Sequence, residues 1–234
     1  MSFDRDHLKR AAAQRAVEFV ESGMIVGLGT GSTAGFVVEQ LAASVARGLD
    51  VVAIPTSERT AGLARRLGIP LASFAEHRRI DLAIDGADEV QRTTLDLIKG
   101  LGGALLREKI VAAASRRFIV VVDQEKLVDR LGEHAPVPVE IVQFGWQATA
   151  AALAQLGADP ELRLAGGEPF VTDGGNFIVD CHFGPLDDPQ NTERLIRMTV
   201  GVVESGLFIG RSSTVVVATD SGVDIMTGTG GKVP

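Results

Sequence analysis

Cysteine is nearly absent from this chain: Cys181 stands alone among 234 residues. One thiol forms no intramolecular disulfide, which excludes a stapled secreted scaffold; a small core thiol in a reducing, cytoplasmic compartment is the expectation. Long apolar runs are missing too. No stretch approaches the roughly 20 residues that a membrane helix needs, and the opening MSFDRDHLKR lacks the apolar centre of a signal peptide. Blocks of Lys and Arg are also wanting, and the formal net charge is −7. A general nucleic-acid surface is thereby excluded, because it must neutralise many phosphates at once. A small anionic ligand stays open, provided that a few local cations or helix N-termini face it. His7, His77, His134 and His182 are scattered, so no histidine cluster suggests a metal centre.

What is present is apolar residue in quantity, 45% of the chain, enough for one large domain or for one domain with a smaller companion. Residues 6–20 carry an amphipathic helical pattern. Short, apolar, β-branched runs then alternate with helical segments: strands at 24–28, 50–54, 81–84, 95–98 and 118–122, helices at 33–46, 57–67 and 103–115. Such runs read as parallel strands buried on both faces, hence an α/β fold with a mainly parallel, Rossmann-like sheet. At PVPVEIV, residues 136–142, the pattern changes. Strand 137–143, helix 145–156, strands 161–164 and 176–182, helix 190–199 and strand 200–204 spell a smaller α+β, ferredoxin-like domain, with TDGG as the turn before its third strand. A last buried run, 214–218, returns to the first sheet. The expected organisation is therefore an α/β domain of residues 1–132 and 206–234 with an insertion at 133–205. No internal repeat is evident, and the glycine-rich tail TGTGGKV, with no helix after it, reads as flexible chain.

Each of the first five strand candidates runs into a polar or glycine-rich segment: GTGST, PTSER, DGADE, KGLGG and DQEK. In a parallel sheet the C-terminal strand ends share one edge, where ligands bind. Five such segments on one rim point to a site. GLGTGSTA satisfies the G-x-G-x-x-G/A pattern, yet the second strand does not end in the acid that would hold a nucleotide ribose, and no Gly-Lys-Ser/Thr follows. An oxyanion nest of amides with the hydroxyls of Thr30, Ser32 and Thr33 remains, beside the plainer reading of a capped turn. In DGADE, Asp85, Asp88 and Glu89 suit sugar hydroxyls better than a metal, since no second cluster completes a cage, with a plain solvated loop as the alternative. Glu108 shares a helical face with Ala104, Leu105, Val111 and Ala112. A carboxyl on that face is desolvated and drawn toward the range in which it carries protons. Pairing with Arg107 or Lys109 is the alternative. Lys99 and Lys126 supply local positive charge, although a lone lysine is more often a solvated surface residue.

With GTGST, PTS, DGAD, KGLGG, REK and VVDQEK in this order, the chain resembles the ribose-5-phosphate isomerases of the A type over nearly its whole length, PVPVE and VTDGGNFIVD included. The resemblance implies interconversion of ribose 5-phosphate and ribulose 5-phosphate in the non-oxidative pentose phosphate pathway, with no cofactor and no metal. It implies an enediolate formed by Glu108 as proton acceptor and donor, with Asp85 and Lys99 as further catalytic residues. The substrate site would comprise Thr30, Gly31, Ser32, Thr33, Asp85, Gly86, Ala87, Asp88, Lys99, Gly100, Leu101, Gly102 and Lys126, with Lys9 a weaker addition. Which oxyanion the GTGST loop meets, the phosphate or the reacting end of the sugar, is left open. Leu101 departs from the KGGG of other members, but glycines flank it and activity is expected to persist. The partners implied are a sugar phosphate and further copies of the chain, as a homodimer or homotetramer, with neither nucleic acid nor membrane. Three rivals share the architecture. A sugar-phosphate sensor usually carries a DNA-binding segment before the first strand, a coenzyme A transferase uses its glutamate as a nucleophile, and an amino-sugar phosphate deaminase has a histidine where DGADEV has none.

Overall fold

In the computed structural model, which describes residues 2–228, the predicted alternation is realised. The tail beyond 228, part of the segment read as flexible, lies outside the described residues. The first half runs α1 (Ser2–Val17), β1 (Ile25–Leu28), α2 (Ser32–Ala46), β2 (Val52–Pro55), α3 (Glu58–Arg66), β3 (Ile80–Asp85), β4 (Glu89–Gln91), β5 (Leu97–Ile98), α4 (Leu105–Ala114) and β6 (Ser115–Asp123). Next come β7 (Leu127–Val128), β8 (Val137–Ile141), α5 (Trp146–Ala154), β9 (Asp159–Leu162), β10 (Leu164–Ala165), β11 (Glu168–Pro169) and β12 (Phe177–His182). The chain closes with α6 (Pro189–Arg197), β13 (Val202–Ser205), β14 (Leu207–Phe208), β15 (Thr214–Thr219) and β16 (Gly222–Thr227). Two compact units result. One takes the residues up to 87, 107–126 and those from 210 on; the other takes 88–106 and 127–209.

The first unit is built on a six-stranded sheet in the order β16-β15-β6-β3-β1-β2, parallel except for β16. Its strands carry unbroken apolar runs because both faces are covered. Val26, Leu28, Leu82, Ile84, Ile119 and Val121 are buried in one core with Leu41 of α2 and Ala12, Ala13 and Ala16 of α1. The three alanines let α1 come close, and each fully buried leucine or isoleucine contributes about 1.5–3 kcal/mol. After β2 the chain returns to the other side of β1 to form β3. The C-terminal ends of β1 and β3 therefore border a topological switch point, where an open α/β sheet leaves a crevice.

The second unit contains β8, α5, β9, β12, α6 and β13 with strand order β13-β8-β12-β9, every neighbouring pair antiparallel. That is the ferredoxin-like arrangement. Val139, Ile141, Leu153, Val179, Cys181 and Ile196 form its centre. The unit extends beyond the 133–205 insertion read from sequence, because β4, β5, β7 and β14 pair in a small sheet of their own, order β14-β5-β4-β7. The run at 95–98, expected as the fourth strand of the parallel sheet, is corrected accordingly: β5 is two residues long and antiparallel to β4 and β14. Residues 86–96 already hold β4 and its turn. They are too few for a parallel crossover, which takes about a dozen residues or more, usually as a helix.

Among the described residues no helix is long and apolar enough to cross a membrane. Cys181 is buried, as its type suggests, and burial, aided by the negative charge of Asp180, pushes its thiol from an ordinary value of 9.0 up to about 12. The neutral thiol is thus the native form. Its contribution to stability is complete below the unfolded value and is lost as pH rises toward 12. Native protein at pH 8 should leave a disulfide-exchange reagent unconsumed, with one thiol per chain appearing on denaturation. Prompt native labelling would contradict the burial.

Candidate active site

The GTGST loop leaves the end of β1 and enters α2, and its residues divide by role. Thr30 turns inward. Its hydroxyl is buried among those of Thr56, Ser57 and Thr60, at 2.7, 2.8 and 3.1 Å. Its amide donates to Asp85 Oδ1 at 3.0 Å. The hydroxyl placed by sequence among the anion contacts thus faces a protein cluster. Gly31, at φ 121° and ψ 179°, takes the N-cap position of α2 and brings no capping side chain. Ser32 is exposed and Thr33 half-buried in the first helical turn, where no acidic residue stands. A 15-residue helix opening on uncapped amides, with two hydroxyls beside them, has the chemistry of an anion seat.

Across the switch point, β3 ends at Asp85, which is 3% exposed. Its Oδ1 accepts the amides of Thr30 and Gly86, the latter at 2.7 Å. The carboxylate lies directly over Gly29: a Cβ there would come within 2.0 Å of Oδ1. Helix α4 is pressed onto the same sheet, since a Cβ on Gly27 would meet Val111 Cγ1 at 2.5 Å and Ala83 Cβ at 2.8 Å. Glu108, one turn before Val111, is 3% exposed, as its apolar face predicts. Arg107 points to Glu58, Nη1 to Oε1 at 2.9 Å. The Glu108 carboxylate makes other polar contacts, but its Oε2 is buried and accepts no hydrogen bond. Lys126 ends the short helical turn after β6 and is half-buried; Lys9 is half-buried on α1.

In the second unit, the KGLGG loop follows β5 and so does not extend the parallel rim. Lys99 is 2% exposed rather than solvated, with Nζ 5.6 Å from the centre of the Phe208 ring. Its amide donates to Gly206 O at 2.9 Å. The Leu101 amide donates to Asp88 Oδ2 at 2.9 Å, and that of Gly103 to Gly100 O at 3.0 Å. Asp88 therefore shapes the loop as well as being a candidate ligand. The Leu101 side chain is exposed and its φ is not positive, so a residue other than glycine fits there; Gly100 (φ 110°) and Gly103 (φ 80°) carry the unusual backbone. Glu89, grouped by sequence with the two aspartates, is a buried anchor. Its carboxylate accepts the amides of Gly132, His134 and Ala135 at 2.6, 2.6 and 2.7 Å.

The family model for ribose 5-phosphate isomerase A (phosphoriboisomerase A) matches residues 52–222, most of the chain. The chain belongs to the ribose 5-phosphate isomerase A family. A ribose-5-phosphate isomerase A from Gloeobacter violaceus is 60% identical over 96% of this chain and 97% of its own length. One from Gluconobacter oxydans is 57% identical over 92% and 94%. Among solved structures, a D-ribose-5-phosphate isomerase in complex with phospho-erythronic acid superposes with a TM-score of 0.92 at 41% identity, covering 95% of this chain and 98% of the other. The isomerase of Methanocaldococcus jannaschii gives 0.91 at 40% identity, covering 95% and 99%.

In this isomerase-family chain, two supports of the candidate loops, one in each unit, escaped the reading by sequence. The first is the trio Thr56, Ser57 and Thr60, of which the sequence reading noticed only Thr56 and Ser57, as part of the polar segment PTSER. The second is Arg163 of the second unit. Its Nε and Nη2 form a two-pronged pair with Asp180, and its Nη1 donates to Gly100 O at 2.7 Å and Leu101 O at 3.2 Å. The guanidinium thus clamps the KGLGG backbone at two carbonyls. A planar five-donor group suits this task, and lysine could not replace it.

Proposed function

We propose that this protein interconverts D-ribose 5-phosphate and D-ribulose 5-phosphate, a step of the non-oxidative pentose phosphate pathway, through an enediolate. The observation that carries the reading is Glu108: a carboxylate buried on helix α4, within the REK motif of a chain that belongs to the isomerase family. In the open-chain aldose, Glu108 takes the proton from the carbon beside the aldehyde. The electron pair of the broken C–H bond forms the enediolate double bond, and the aldehyde oxygen gains the negative charge. Returning the proton to the former aldehyde carbon, with a proton shift between the two oxygens, gives the ketose. One base serves both steps, so nothing is consumed.

General base catalysis supplies about 10²- to 10⁴-fold, so stabilisation of the developing oxyanion must provide another large share. Lys99 with the amides of Gly100 and Gly102 are the proposed donors; those of Leu101 and Gly103 are already engaged within the loop. Asp85 and Asp88 are proposed to hold sugar hydroxyls, and Asp85 to assist ring opening. Gly31, Ser32, Thr33, Gly86, Ala87 and Lys126 are proposed to complete the substrate site. Thr30 contributes through its backbone. The exposed Phe144, Met198 and Val200 of the second unit support assembly as a homodimer or homotetramer, and the lone buried thiol supports a cytoplasmic setting. The test is conversion of ribose 5-phosphate to ribulose 5-phosphate with a metal chelator present. Undiminished turnover is expected; an absolute need for added metal would refute the mechanism.

A further inference from the structure

Thr56, Ser57 and Thr60, at the junction of β2 and α3, join Thr30 in a cluster of buried hydroxyls. Thr56, Ser57 and Thr60 are each buried, and Ser57 caps α3 by accepting the Thr60 amide at 3.1 Å. A cap needs one hydroxyl. Here the capping hydroxyl is also a link in a directed chain. Thr30 Oγ1 donates to Ser57 Oγ at 2.8 Å, Ser57 Oγ to Thr60 Oγ1 at 3.0 Å, and Thr60 Oγ1 to the carbonyl of Gly29 at 2.9 Å. A hydroxyl has one proton to donate, so with that of Thr30 committed to Ser57 it is Thr56 that donates to Thr30 at 2.7 Å.

The chain ends on a particular peptide group. The Gly29 carbonyl and the Thr30 amide belong to one planar unit, and the Thr30 amide donates to Asp85 Oδ1 at 3.0 Å. Thr60 holds one end of that plane and Asp85 receives from the other. Rotation of the peptide would break both bonds together, and a hydrogen bond at the carbonyl also polarises the amide, making it a better donor.

We propose that Thr60, supported by Ser57 and Thr56, is a positioning residue for Asp85, acting through the Gly29–Thr30 peptide. The inference rests on the proposed reading of Asp85 as the group that assists ring opening. Solvent-hydrogen exchange into ribulose 5-phosphate, which is acyclic, needs the base but no ring step; net conversion to and from ribose 5-phosphate draws on both. Thr60→Val keeps the shape of the side chain and removes the hydroxyl.

The expected result is net conversion reduced about tenfold more than exchange, the size of effect that a buried carbonyl left unsatisfied produces. Asp85→Asn should shift the ratio of exchange to conversion in the same direction, and Thr60→Ser, which restores the hydroxyl, should stay within about twofold of wild type on both. Because the ratio is independent of the fraction of folded enzyme, general damage by Thr60→Val lowers both rates equally. That outcome, or wild-type rates in the variant, overturns the inference. Wild-type protein inactive on ribose 5-phosphate would instead remove the proposed function, and this inference with it.

Discussion

Glu108→Gln should lower isomerisation by about 10²- to 10⁴-fold or more, because the amide has nearly the size of the carboxylate but cannot accept the substrate proton. Solvent-hydrogen exchange should disappear with turnover, since both begin with the same proton transfer. Binding should survive: the affinity for phospho-erythronic acid, the ligand of a related isomerase, is expected to stay close to wild type. Stability is the control: Glu108 is 3% exposed and the amide has nearly its size, so the purified variant should still unfold in one cooperative transition. An inactive variant that unfolds cooperatively and still binds the analogue identifies a lost base; measurable turnover in purified Glu108→Gln would refute it.

The face that carries Glu108 was legible because helical spacing is a local property: Leu105, Val111 and Ala112 are all buried with it. Strands β1, β2, β3 and β6 were equally plain, since a strand buried on both faces must be apolar throughout. LDLI looked the same and lay elsewhere. Only the short connection from β3 told against it, and apolarity does not encode partner or direction. Thr30 shows a second limit, for sequence reveals a hydroxyl in a loop but not which way it points; Thr56, Ser57 and Thr60, at the start of α3, draw it inward. Arg163 was beyond reach altogether. It is an ordinary charged residue in the connection between β9 and β10, and its meaning comes from two backbone carbonyls some 60 positions away.

Gly29→Ala is expected to be the most damaging single-methyl change in the first unit. Its Cβ would stand 2.0 Å from Asp85 Oδ1 and 2.1 Å from Cγ, contacts that a side-chain rotation could relieve. It would also stand 2.6 Å from Asp85 Cα, which no rotation relieves. The backbones of β1 and β3 would have to part, although the Gly29 amide bonds Ile84 O at 2.9 Å and Leu28 stands in register with Ile84. Overpacking of this kind costs about 1–3 kcal/mol and occasionally more, and a clash with backbone belongs at the upper end. Because the displaced group is Asp85, activity should fall by about tenfold for each 1.4 kcal/mol by which the site is distorted. Gly35→Ala is the control. No atom lies within 4 Å of its Cβ and it sits inside α2, so alanine should raise stability by up to about 1 kcal/mol through helix propensity. Gly31→Ala would separate the two duties of the motif, for there the space is open and the obstacle is a φ of 121°. The spacing G-x-G thus serves two unlike needs, close approach of β3 at Gly29 and a backbone turn into α2 at Gly31, and denaturant midpoints for the three variants should rank Gly35→Ala highest and Gly29→Ala lowest. A Gly29→Ala protein as stable and active as wild type would mean that β1 and β3 do not meet as closely as Asp85 requires.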